Sequence, residues 1–77
     1  IRDFASIHLL RSDNREDRLI FKEVYDSYVS FCQNEGKKEI EAKKDFGKRL
    51  QDMHYILTES TKDANKKCVF NVRWAKE

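Results

Sequence analysis

Apolar positions along the chain recur at helical intervals as far as Met53 and at strand intervals beyond it. The stretch from Glu41 to Met53 organises the first regime. On a helix, Ala42, Phe46, Leu50 and Met53 fall on one stripe, at spacings of four, four and three. Lys44 and Gln51 then lie nearly opposite, with Lys43, Gly47 and Lys48 beside them. The pattern predicts a short helix with an apolar side and a basic side.

Upstream, Ile1, Phe4, Ala5 and the His8–Leu9 pair suit an amphipathic helix running to about Leu10. Ser12, Asp13 and Asn14 end it, and the charged run Arg15 to Arg18 reads as a loop. Leu19, Ile20 and Phe21 read as a short strand or extended entry to the next helix. That second helix is the clearest element, because Phe21, Val24, Tyr25, Tyr28, Phe31 and Cys32 form one continuous stripe. Gly36 is placed to cap its C-terminus in the left-handed conformation. About four residues, Lys37 to Ile40, then join it to the third helix, so the two cross steeply, as in a helix-turn-helix.

After Met53 the residues from His54 to Glu59 alternate loosely, and those from Cys68 to Trp74 cleanly. Cys68, Phe70, Val72 and Trp74 are expected on one face of a half-buried strand, with Val69, Asn71 and Arg73 on the other. The polar run from Ser60 to Lys67 between them predicts a β-hairpin with a long basic tip. Helix, short strand, helix, helix, strand, loop, strand is the order of a winged helix. The expected fold class is therefore α+β: a winged helix-turn-helix of three helices with a C-terminal hairpin wing. No repeat, low-complexity segment or second domain is visible.

Composition sharpens the picture. Seventy-seven residues make one domain, read here as residues 1–77 of a longer protein because the chain lacks a starting Met. One modest core fits in that length, and a deep substrate cleft does not. Charged residues reach 39% and mean hydropathy is −0.87, but 12% aromatics are enough to seed a core. The net charge of +2 is unevenly spread. Residues 1–36 carry five basic and seven acidic side chains, whereas residues 37–77 carry eleven and seven. That asymmetry points to one side facing a polyanion. No apolar run approaches a membrane span. Cys32 and Cys68 each fall in an apolar pattern and read as reduced core thiols of an intracellular chain, cytoplasmic or nuclear. His8 and His54 stand alone, so no metal is expected. No phosphate loop or nucleophile–base arrangement stands out, so the domain is read as non-catalytic, without cofactor or small-molecule substrate.

The pattern Val24-Tyr25-x-x-Tyr28-x-x-x-Cys32, then Gly36, then Phe46-Gly47-Lys48-x-Leu50, then a basic hairpin, resembles a known domain. The domain it resembles is the C-terminal winged helix of poxvirus-type and phage-type primase-helicases, the superfamily 3 replicative ATPases. The pattern is similar also to the DNA-binding domain of regulatory factor X (RFX) transcription factors. The likeness spans roughly residues 1–74, though only the Tyr/Cys and Phe-Gly-Lys pieces are specific. It implies duplex DNA as partner, together with a linked or partner ATPase in the first family. In the RFX family it implies a wing that reads the major groove. RFX wings are rich in arginine; this one offers Lys62, Lys66 and Lys67, with Asp63 among them.

The residues expected to face DNA are Lys43, Lys44, Gly47, Lys48, Arg49 and Gln51 on the third helix, Lys62, Asn65, Lys66 and Lys67 on the wing, and Arg73. Lysines at such positions hold phosphates and carry no sequence information. Arg49 has a second reading, as a partner of Asp45 or Asp52. Gly47 has three: close approach of a phosphate backbone, close contact with the end of the second helix, or simple tolerance of a mid-helix glycine. The function expected is duplex binding within a viral, phage or mobile-element replication protein. The alternatives are an RFX-like transcription-factor domain and a winged helix used for protein–protein contact.

Overall fold

The computed structural model describes residues 2–75, in the order expected with one addition. Helix α1 spans Arg2–His8 and strand β1 Leu9–Arg11; β2 spans Arg18–Ile20 and runs directly into α2, Phe21–Asn34. Helix α3 spans Lys43–Asp52, followed by β3 (Ile56–Ser60), β4 (Lys66–Phe70) and β5 (Val72–Trp74). The strands form two antiparallel sheets. One has the order β2-β4-β3, and the other pairs β1 with β5. This is an α+β winged helix, with the β3–β4 hairpin as its wing and the β1–β5 pair as the addition.

Helix α2 matches its sequence pattern. Phe21, Val24, Tyr28 and Cys32 are buried along it. At its end Gly36 takes φ +70, its N–H donates to Gln33 O, and the Lys37 N–H donates to Cys32 O. Those two bonds satisfy carbonyls that the helix end would otherwise leave unpaired. Helix α3 ends in the same way without a glycine. His54 takes φ +72, and the N–H groups of His54 and Tyr55 reach Gln51 O and Leu50 O.

Phe4, Phe21, Val24, Tyr28, Phe46, Leu50, Val69 and Val72 meet in one core built from all three helices and both sheets. Phe46 lies at its aromatic centre, stacked on Tyr28 at 4.5 Å between ring centroids. Each such side chain contributes roughly 1.5–3 kcal/mol on burial. Cys32 and Cys68 are both buried free thiols.

Four expectations need correction. The first helix stops at His8, and Leu9–Arg11 is a strand, drawn into pairing with β5; Ile1 lies outside the described residues. Helix α3 begins at Lys43, and Ala42 is an exposed cap residue that adds nothing to the buried stripe. The cause is two tyrosines: Tyr25 Oη donates to Glu41 O at 2.9 Å, and the Glu41 N–H donates to Tyr28 Oη at 3.1 Å. With its backbone held there, Glu41 cannot enter the helix, and residues 35–42 form the link.

The hairpin tip is short. Thr61–Asp63 make one 3-10 turn, Ala64 and Asn65 follow with φ near +60, and Lys66 is already paired opposite Ser60. Lys66 and Lys67 are therefore strand residues. Finally, the last strand is broken at Asn71, which has φ +58. Val69 and Val72 both join the main core, which a continuous strand of period two forbids. Cys68 and Phe70 are buried on the opposite face, where the Cys68 thiol donates to Asp63 and the Arg15 guanidinium lies 4.9 Å from the Phe70 ring.

Candidate nucleic-acid interface

Helix α3 packs its Phe46–Leu50 stripe inward and turns its other side toward the wing. Between them runs an open groove lined by Phe21, Lys43, Lys44, Asp45, Gly47, Lys48, Gln51, Leu57 and Lys67. A shallower depression continues past the start of α2, bounded by Ile20, Phe21, Lys22, Glu23, Lys43, Lys66 and Lys67. Six lysines from α2, α3 and β4 thus border one continuous surface. The Lys43 and Lys67 ammonium groups approach the Phe21 ring from α3 and β4, at 5.8 Å and 5.6 Å from its centroid.

Gly47 forms part of the groove floor. A Cβ there would lie 3.1 Å from Phe21 Cζ and 3.4 Å from Leu57 Cδ2. Its lack of a side chain lets α3 settle against the beginning of α2 and against β3; the alternative reading of a contact at the end of α2 is not met. The same close packing brings the α3 lysines near β4.

Lys43 and Lys44 occupy the first turn of α3, where the helix dipole disfavours cations, and no side chain caps that turn. Asp45 is the one acid there. A sequence optimised for helix stability alone would reverse these signs.

The expected residues divide between this groove and elsewhere. Lys43, Lys44, Gly47, Lys48, Gln51 and Lys67 line it, and Lys66 borders its extension. Arg49 points to another cleft and pairs with Glu41 at 3.5 Å, not with Asp45 or Asp52. Lys62 pairs with Glu16 at 3.2 Å. Asn65 closes the hairpin loop by donating its N–H to Ser60 O. Arg73 lies on β5 opposite Leu10, in the second sheet. The reading of the sequence missed Lys22 and the Phe21 ring. The signal available was their adjacency at the start of the clearest helix.

The wing tip is tied to the rest of the fold. Arg18 Nε donates to Asp63 Oδ2 at 2.5 Å, so the guanidinium holds the Asp63 carboxyl below the usual aspartate range, helped by Ser60. Burial, and then the Asp63 charge, push the Cys68 thiol up, so it stays protonated and inert at neutral pH. Among the described residues no cluster of His, Cys, Asp and Glu could hold a metal ion, and no helix is long and apolar enough to cross a membrane. His8 stacks on Phe4, at 5.2 Å between ring centroids.

A family model described as poxvirus D5 protein-like matches residues 1–76. No curated protein and no solved structure matches the chain.

Proposed function

The chain belongs to the poxvirus D5 protein-like family, and from that membership we propose that it is a duplex-DNA-binding module of a viral, phage or mobile-element replication protein. The observation that carries this reading is the convergence of Lys43, Lys44 and Lys48 from α3 with Lys67 from β4 on one open groove. Ammonium groups grouped in this way attract phosphate and release its counterions. Gln51, on the same wall, is able to reach a base edge. The domain is non-catalytic on this reading. It docks electrostatically on duplex DNA and positions or loads an ATPase carried elsewhere in the replication machinery. Its compartment is the reducing interior of a cell, which suits two free thiols.

Fluorescently labelled duplexes titrated at several salt concentrations test this. Lys44→Ala and Lys48→Ala should each weaken all duplexes about equally, lowering the slope of log K against log salt by about 0.9. An unmutated domain without measurable duplex affinity at about 50 mM salt overturns the reading, because electrostatic binding is strongest there. A protein-contact role would then take its place.

A further inference from the structure

Lys43 and Lys67 are 24 residues apart in sequence, yet both ammonium groups stand beside one ring. Phe21 is only 5% exposed, so it offers little face to a ligand and lies beneath a groove that both lysines line. Each ammonium lies within 6 Å of the same centroid, near the limit of useful cation–π attraction. That attraction does little to offset the repulsion between two cations that border the same groove. Neither lysine has a carboxylate partner within ion-pair distance among the described residues. Glu59, directly across from Lys67 in the ladder, makes no such pair with it. The fold therefore brings two positive charges without ion-pair partners to one groove from separate elements. An anion between them relieves the repulsion and gains from both.

We infer that Lys43 and Lys67 form a single phosphate clamp across the groove, so that α3 and the wing grip the same phosphate of one DNA strand. This rests on the proposed duplex binding and makes a narrower claim. Most basic faces hold phosphates one lysine at a time, and their contributions add. Here either lysine alone still neutralises the shared phosphate, and only loss of both frees it.

The test is a double-mutant cycle on salt dependence. Lys43→Ala, Lys67→Ala and the double variant are titrated with one labelled duplex between about 50 and 200 mM salt, where phosphate contacts dominate affinity. Lys44→Ala serves as the single-contact reference, and circular dichroism melts establish that each variant is folded. The clamp predicts that each single variant lowers the slope by clearly less than 0.9, while the double variant lowers it by about 0.9 in total. It also predicts that the double variant loses roughly tenfold in affinity at about 50 mM salt, more than the two single losses multiplied. Charge-retaining Lys43→Arg and Lys67→Arg should keep the parent slope. Single variants that each lose about 0.9, with a double loss near 1.8, mean two independent phosphates and overturn the clamp. Unchanged slopes in all three variants overturn it as well. In both cases salt-dependent binding by the parent leaves duplex binding itself standing. A parent domain with no salt-dependent binding defeats duplex binding, and the clamp with it.

Discussion

Phe46 is a keystone of the core. It is fully buried, stacked on Tyr28, with the rings of Tyr25, Phe21 and Phe4 at 5.5 to 6.2 Å. Phe46→Ala should cost about 3–5 kcal/mol, read from urea midpoints, because so many rings cannot collapse into the space left. In a domain of ordinary stability that approaches unfolding. Its position was legible from spacing alone, since Leu50 and Met53 follow it at helical intervals. Gly47 was not, because Phe21 and Leu57, the partners that exclude a side chain there, are distant in sequence. Ala64 offers the opposite test. It is exposed and held at φ +58, where a Cβ is strained. Ala64→Gly should raise stability by about 0.5–1 kcal/mol, the strain relieved exceeding the extra entropy of the unfolded chain. Thermal melts would show it, and an unchanged or lower melting temperature would contradict it.

At the scale of elements, α3 sets stability against charge. Lys44→Glu replaces a cation at the positive end of the helix dipole and should stabilise the fold by about 0.3–1 kcal/mol at low salt. On the proposed function, the same change should weaken duplex binding. Melts in low salt and in about 1 M salt separate the two causes, because screening removes the dipole benefit. Helix α2 was fully legible, since its stripe is long and Gly36 marks its end. The start of α3 was not, because it depends on Tyr25 and Tyr28 hydroxyls reaching back from another helix to Glu41. The break between β4 and β5 was hidden for a different reason. A single residue in the left-handed region changes which face is buried while leaving alternation intact on either side.

Over the whole molecule, the acidic and basic halves are joined by ion pairs that no local pattern announces. Arg18 and Glu16 reach across to Asp63 and Lys62 on the wing. Because the folded protein holds Asp63 below its ordinary range, chiefly through the hydrogen bond from Arg18, the stability it supplies is complete above about pH 4. It is lost as pH falls through the folded value. Asp63→Asn should therefore be less stable than the parent at pH 7, with the gap closing as pH drops toward 3; denaturant midpoints across that range would show a constant gap if the pair were idle. The charge asymmetry visible in the sequence does correspond to a surface, though Lys22 from the acidic half joins it.

The anchored wing tip also bears on how fast the molecule engages a partner. A free loop of the length of Thr61–Asn65 would lose roughly 1–2 kcal/mol of conformational freedom per residue on being fixed. Here the Arg18–Asp63 pair and the Asn65–Ser60 hydrogen bond restrict it beforehand, while the exposed Lys62–Glu16 pair adds little. On the proposed duplex binding, the tip should then dock without a slow rearrangement. Stopped-flow traces with duplex should be single exponentials, with observed rates rising linearly with DNA concentration and falling steeply with salt. A rate that levels off at high DNA concentration would mean that the wing has to move first.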